Sequence, residues 1–448
     1  RCAIVTGVQT CALPILSILI VLHEMGHFLP ARWFGTRVEK FYLFFDPWFE
    51  LYKKKIGDTE YGIGWLPLGG YVKISGMIDE SFDTEQMKSE PQPWEFRSKP
   101  AWQRLIIMLG GVTVNFLLGF LIYGMVLWVY GQEYLPNDNI KYGIQVDSLG
   151  REMGLRDGDQ ILEVGGKPFE KFNDRLVVRE IIINNAKTIT VQRDEQREDV
   201  QIDPKYVTLL SSYEYKNKML FTARMPFKVL QVMKDSPAEE AGIDKDDRII
   251  ALNGEPTPYF FDFAKAVQGK KSEEIQLTIL RNSSDTLQKA LTTTEKGLIG
   301  VQRYGPGQLF GTEREEYTLA QALPAGVVKG WTFLEDQIKA FGQMFKGRIK
   351  PSESLGGFGT IGSMFGNEWL WERFWTMTAI LSLILAFMNL LPIPALDGGH
   401  VMFLLYEMVT GRKPNDKVIE WATLIGFIVV LLLVLYANGL DIIRNFFS

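Results

Sequence analysis

The chain has 448 residues, too many for one ordinary hydrophobic core, which favours two or more units. A formal net charge of -5 and a pI near 5.6 leave no basic footprint, and this excludes nucleic acid as a partner. The mean hydropathy of +0.01 is an average over long uncharged apolar stretches and charged segments of soluble character, so the composition is that of a membrane protein.

The opening RCAIVTGVQTCALPI, residues 1–15, resembles the conceptual translation of a sequencing adapter and is set apart from fold reasoning. It holds both cysteines, Cys2 and Cys11, so no disulfide or thiolate-metal site can involve the rest of the chain. A helix that crosses a bilayer needs about 20 mainly apolar residues. The first candidate, CALPILSILIVLHEMGHFL, reaches that length only with help from the adapter-like residues. Phe41 to Ile74 then mixes aromatics, β-formers and glycine turns, which predicts strands lying at or dipping into the interface, where backbone must be shielded by protein. The second span, Arg104 to Tyr130, carries no charge after its first residue and ends in Trp and Tyr, residues that favour a membrane interface. Residues 16–131 therefore read as two spans joined by a β-rich loop.

An internal repeat follows. GLRDGDQILEVGGKP, from Gly154, aligns without gaps on GIDKDDRIIALNGEP, from Gly242. Each copy reads as turn, short strand and tight turn, and each is followed by a helical stretch and a β-rich stretch, TITVQR or IQLTILR. That order resembles the PDZ domain in its bacterial, circularly permuted form, with one copy over 132–222 and the second over 223–304. Residues 305–372 hold an amphipathic helix over 319–347 and the Gly-rich SLGGFGTIGSMFG. Spans three and four, Phe374 to Leu391 and Trp421 to Tyr436, fall within 373–448. Lys and Arg concentrate in the loop after the first span and in the loop between spans three and four, at Arg412, Lys413 and Lys417. Both loops are expected in the cytoplasm, with the repeats on the outer side.

Histidine is scarce: the chain holds only His23, His27 and His400. Two of them stand four apart, which on a helix places both imidazoles on one face, with Glu24 about 100 degrees round from His23. This is the HExxH arrangement, in which the imidazoles bind zinc and the glutamate serves as general base. A charge at the centre of a span costs about 2.5–3.5 kcal/mol, so three ionisable groups together at the end of an apolar run point to function rather than packing. A catalytic zinc takes three protein ligands and leaves one position for water. The third ligand is sought in NLLPIPALDGGH, Asn389 to His400, where prolines turn the chain and Gly398 and Gly399 permit close backbone approach. Asp397 offers a carboxylate oxygen there, and His400 is the competing ligand.

HEMGH on one span, NLLPIPALDGG on another and a tandem PDZ-like insert between spans two and three together resemble the site-2 protease family of intramembrane metalloproteases. The likeness covers the chain beyond Leu16. It implies a multi-pass α-helical membrane protein of four spans, with two α+β PDZ-like domains inserted between spans two and three and a membrane-associated β-rich loop. It also implies His23, His27 and Asp397 as ligands of Zn2+, Glu24 as the catalytic base, and Asn115 and Asn389 as substrate-positioning residues. At Asn115 the chain departs from the family pattern, with Gly111 and Val112 where a proline is common. The implied activity is regulated intramembrane proteolysis of single-pass, anti-sigma-factor-like proteins already trimmed outside the membrane. The implied location is the bacterial cytoplasmic membrane, with the PDZ-like domains on the periplasmic side. A reading from another class is a non-catalytic membrane scaffold presenting tandem PDZ-like domains; intact His23, Glu24, His27 and Asp397 argue against it. Four spans without an evident inverted repeat argue against an ion-coupled transporter.

Overall fold

The computed structural model describes residues 2–77, 90–215, 218–282, 284–366 and 369–446. Residue 1 of the adapter-like stretch and residues 447–448 of the C-terminal tail lie outside the described residues. Contacts group the chain into two units, one of Arg1–Gly131, Glu316–Ile338 and Leu355–Ser448, the other of Gln132–Glu315 and Lys339–Ser354.

In chain order the first unit opens with helix α1 (Cys2–Trp33), strands β1 (Val38–Ile56) and β2 (Thr59–Ile74), and helix α2 (Ala101–Tyr130). The second unit follows with β3 (Gln132–Tyr134), β4 (Ile144–Val146), α3 (Ser148–Glu152), β5 (Gln160–Val164), β6 (Lys167–Pro168), α4 (Asp174–Ile182), β7 (Thr188–Arg193), β8 (Gln196–Gln201), α5 (Lys205–Leu210) and β9 (Phe221–Ala223). It continues through β10 (Phe227–Val232), α6 (Pro237–Glu240), β11 (Arg248–Leu252), β12 (Glu255–Pro256), α7 (Phe260–Val267), β13 (Glu274–Arg281), β14 (Asp285–Thr292), β15 (Val301–Arg303), α8 (Pro306–Phe310) and β16 (Glu313–Glu315). Helices α9 (Leu319–Phe345), α10 (Pro351–Ser354), α11 (Phe358–Ser363), α12 (Trp371–Leu390), α13 (Asp397–Thr410) and α14 (Asp416–Phe446) complete the order.

Among the described residues four helical stretches are long and apolar enough to cross a membrane: Pro14–Trp33, Ala101–Tyr130, Trp371–Leu390 and Asp416–Arg444. The first does not stop before the histidines. It runs on to Trp33 and ends where Gly35 takes φ +66° and the Thr36 N–H donates to the Ala31 carbonyl, so HEMGH lies inside a continuous helix. α1 and α2 meet at glycines. A Cβ on Gly26 would collide with the Gly110 backbone, and one on Gly110 with the Gly26 carbonyl. Backbones this close carry the imidazoles of α1 directly against α2. α12 also packs on α2, with Ala379 and Leu383 against Ile122, Tyr123 and Val126.

α9 covers the segment expected to form an amphipathic helix, and its first part packs on α2 through Gly326 and Gly330, where a Cβ would meet Gly124 and the Phe120 ring, while Val328 and Trp331 stay exposed. The Gly-rich segment forms the short helix α11, held by α14 through Asp441, which accepts from the Thr360 backbone N–H at 2.8 Å.

β1 and β2 pair antiparallel at the hairpin, from Ile56↔Thr59 to Glu50↔Gly64, and again at the base, from Leu43↔Gly70 to Val38↔Ile74. Phe41 and Leu43 have partners on both sides, Val72 and Gly70 on one, Tyr61 and Ile63 on the other. Gly70–Ile74 therefore forms an outer edge of this small sheet. Among the described residues no further strand pairs with it.

In the second unit the repeat seen in the sequence is a repeat of structure. The strand order β6-β5-β7-β8 of the first half recurs as β12, β11, β13 and β14 in the second, with α4 and α7 at matching places. Each half buries its own core, around Ile161, Val177 and Val191 in one and Ile249, Phe263 and Ile279 in the other. A feature missed in the sequence closes the unit: β16 returns to pair with β3, Glu313 opposite Tyr134.

Candidate metal centre

The site is built from three elements of the first unit. α1 brings His23 and His27 to one face, both 7% exposed, with their rings edge to face at 4.9 Å. α13 begins at Asp397, and its first carboxylate is aimed at the two rings. His23 Nε2 stands 3.4 Å from His27 Nε2, and Asp397 Oδ2 stands 3.4 Å from the first and 3.3 Å from the second. The three atoms form a nearly equilateral triangle. Donors about 2.0–2.1 Å from a tetrahedral zinc stand roughly 3.3–3.4 Å apart, so this triangle has the size of one face of such a site. Asp397 Oδ2 is also buried with no hydrogen-bond donor, which is costly for a carboxylate unless something else binds it. Both observations fit a divalent ion.

α2 supplies the outer contacts of the rings. His27 Nδ1 donates to the Ile107 carbonyl at 2.8 Å, which leaves its Nε2 bare. Asn115, fully buried, lies with its amide Nδ2 3.0 Å from His23 Nδ1. Gly111 faces the site itself: a Cβ there would strike His27 Nε2 and come within 2.7 Å of His23 Cε1. Gly111, marked in the sequence only as a departure from a proline pattern, is together with Gly110 what lets α2 lie against the imidazoles.

The turn before α13 sets the reach of Asp397. Ala395 takes φ +116°, a conformation L-residues rarely adopt and one that costs about 1–3 kcal/mol. It is held by close backbone contacts. A Cβ on Gly399 would come within 2.5 Å of Pro394 Cα, and Gly426 of α14 lies directly on the Pro394 carbonyl. At its far end α13 is tied to α2 by a largely buried ion pair, Arg104 Nη2 to Glu407 Oε1 at 2.5 Å.

The triad opens onto a cavity of about 650 Å3. Glu24, Asn389 and His400 line it, and so does the edge Gly69–Ile74. Asn389 Nδ2 is 3.2 Å from His23 Nε2. Gly70 passes close to Glu24: a Cβ at Gly70 would lie 3.6 Å from Glu24 Cγ and 2.5 Å from Ile20 Cγ2. Across the sheet Tyr71 donates to Asp46 at 2.9 Å, and burial together with that bond pushes its phenol well above the usual range, so it stays a neutral donor. His400, the competing third ligand, shares the cavity wall but not the cluster of mutually close ligand atoms, which among the described residues is His23, His27 and Asp397. Asn115 is not part of the cavity lining.

The chain as a whole resembles known proteins. The profile of peptidase family M50 matches residues 11–433. Over 96% of this chain and 96% of its own, the Escherichia coli regulator of sigma-E protease is 28% identical. The Haemophilus influenzae regulator of sigma E protease is 28% identical over 96% of this chain and 97% of its own. A Treponema pallidum protein named, provisionally, as a zinc metalloprotease is 26% identical over 96% of this chain and 97% of its own.

Proposed function

From the premise that the chain belongs to peptidase family M50 and is a membrane-embedded zinc metalloendopeptidase of the site-2 protease type, we propose that it cuts single-pass membrane proteins at a peptide bond below the membrane surface. One observation carries the assignment of residues: three donor atoms 3.3–3.4 Å apart, from two elements remote in sequence, sharing a cavity with Glu24. In this reading His23, His27 and Asp397 are the ligands. Zinc bound to them supplies polarisation of the scissile carbonyl and activation of a water at neutral pH. Glu24 takes the water's proton and delivers it to the departing amine. Asn389, on the cavity wall beside His23, holds the substrate carbonyl as negative charge develops on its oxygen.

A helical substrate hides its carbonyls in internal hydrogen bonds and has to be drawn out straight. The edge Gly70–Ile74 is suited to drawing it out, because it runs beside Glu24 and a substrate strand added to it would lie along the cavity. Proline at Tyr71 or Val72 removes an edge N–H and should lower cleavage while zinc content stays the same.

The two halves of the second unit are read as circularly permuted PDZ-like domains inserted between spans two and three, on the periplasmic side of the cytoplasmic membrane. Their matching strand orders support the first point, and the Lys/Arg bias of the other loops supports the second. Neither copy has a GLGF-like carboxylate loop, so a steric filter for substrates already trimmed outside the membrane is favoured over docking of a chain terminus. Two relatives bear the name of sigma-E regulators, and by likeness the substrate class here is a membrane-bound anti-sigma factor. Deleting residues 140–300 should make untrimmed substrates cleavable; loss of cleavage would point to docking instead.

The deciding experiment is co-expression with a tagged single-pass substrate, comparing the unaltered chain with Glu24→Gln. Cleavage should fall by about 10²–10⁴-fold with zinc retained. Equal cleavage by both refutes the assignment.

A further inference from the structure

We propose that Asn115 is a positioning residue for the ligand His23, its side-chain oxygen accepting from His23 Nδ1–H and so keeping Nε2 bare toward His27 and Asp397. The inference rests on the zinc-protease reading of the site and gives Asn115 a role other than holding substrate.

Three observations lead there. The first is place: Asn115 is fully buried and off the cavity wall, whereas Asn389 is on it. The backbone carbonyl of Asn115 accepts from Ser382 Oγ of α12 at 2.8 Å, which pins this turn of α2. The second is proton count. His23 Nε2 is the nitrogen that faces His27 and Asp397. A neutral imidazole carries one proton, so a bare Nε2 puts that proton on Nδ1, and a buried N–H needs an acceptor. The third is the amide. Its Nδ2 lies 3.0 Å from His23 Nδ1 while its Oδ1 is buried without any partner. The two ends of an amide are distinguished only by their partners, and turning this one by half a rotation gives the orphaned oxygen the Nδ1–H as donor.

α2 would then treat both rings alike. The Ile107 carbonyl takes Nδ1–H of His27, and the Asn115 amide oxygen takes Nδ1–H of His23. One helix fixes tautomer and tilt for both ligands. Asn389, 3.2 Å from His23 Nε2, has no such function, because a ligating nitrogen cannot also accept from it. It is left facing the cavity. The two asparagines thus divide the work, one behind the ring and one in front.

The test uses the full chain purified in detergent and zinc itself as the probe, with chelator competition for affinity and the visible spectrum after cobalt substitution for ligand geometry. Asn115→Leu should weaken zinc binding by about 10- to 100-fold and alter the cobalt spectrum. Asn115→Asp keeps only acceptors and should hold zinc within about threefold of the unaltered chain, or more tightly. Asn389→Leu should leave zinc affinity and the cobalt spectrum unchanged and lower cleavage alone. Normal zinc affinity in Asn115→Leu with loss of cleavage would overturn the inference in favour of substrate holding. A tenfold or greater loss in Asn115→Asp would also overturn it, and decides the matter if the leucine variant does not fold. Failure of the underlying reading looks different: the unaltered chain itself would show neither zinc binding nor a cobalt spectrum.

Discussion

The carboxylates of Asp159, Asp247 and Asp397 are kept in opposite ways. In the second unit Asp159 and Asp247 stand at equivalent places of the repeat, each 1% exposed. Arg193 donates to both oxygens of Asp159 at 2.8 and 2.7 Å, and Arg281 does the same to Asp247 at the same distances. A backbone N–H adds a third bond to each, from Arg156 and Asp244. The same guanidinium groups reach the carbonyls of Gly154 and Gly242, so each clamp also closes the turn that opens its repeat. Asp397 in the first unit has none of this: no arginine, and an oxygen with no hydrogen-bond donor facing two imidazole nitrogens. A buried carboxylate saturated by a guanidinium has finished its work when the chain is folded. One left open beside bare nitrogens has not, and that difference is what the proposed ligand role of Asp397 rests on.

Replacing each acid's environment should expose the contrast. On the proposed assignment Asp397→Ala removes a ligand, and we expect cleavage to fall by about a thousandfold or more, with zinc lost and the fold intact. Treating the unaltered chain with a chelator should reproduce that loss, and zinc should reverse it, while hydrogen-exchange protection of β11 and β13 stays unchanged. If Asp397→Ala kept its zinc, the open carboxylate would be structural after all. Arg281→Met acts the other way. It leaves Asp247 buried without its partner, and the second repeat should lose about 3 kcal/mol of local stability, read as faster exchange in β11 and β13, with zinc content untouched.

The spans, the repeat and the paired histidines could be read before the fold was known, the arginine clamps could not, and the limits have physical reasons. Spans are written in runs of apolar residues, and a spacing of four suffices to place His23 and His27 on one face. The repeat was visible because Gly, Asp, Ile and Pro recur at equal spacing in a strand and its turns. Asp397 and His400 stayed rival ligands in the residues alone, since both lie in one motif and only the turn through Ala395, Gly398 and Gly399 aims one of them at the rings. β16 was missed because three residues carry no period. The role of the glycines of α2 was missed for another reason: Gly110 and Gly111 matter through atoms they lack, and a missing Cβ gains meaning only once the neighbouring backbone is in place.

Gly111→Ala puts that last point to a test. The added methyl falls where the two imidazoles stand, so either the rings tilt or α2 shifts from α1. We expect zinc affinity to fall by about 10- to 100-fold, the size of effect seen when ligand orientation is disturbed rather than a ligand removed. Gly342, with open space where its Cβ would lie, is the control, and alanine there should change nothing. Equal affinity in Gly111→Ala would mean that the rings tolerate displacement and that α2 does not orient them.

The smallest effect concerns acid. Burial alone would raise the Asp247 carboxyl, but hydrogen bonds from Arg281 and the Asp244 N–H, with the charge of Arg281, bring it below its ordinary value. A carboxyl lowered by folding stabilises the fold fully above its unfolded value, near pH 4, and that stabilisation is lost as pH falls through the lower folded value. Protection of β11 and β13 should therefore hold from neutral pH down to about pH 4 and decline below it. Arg281→Met should start lower and lose that step, because the partner responsible for the lowering is gone. A variant with the same acid step as the unaltered chain would show that other carboxylates set it, and that the clamp on Asp247 acts through geometry rather than charge.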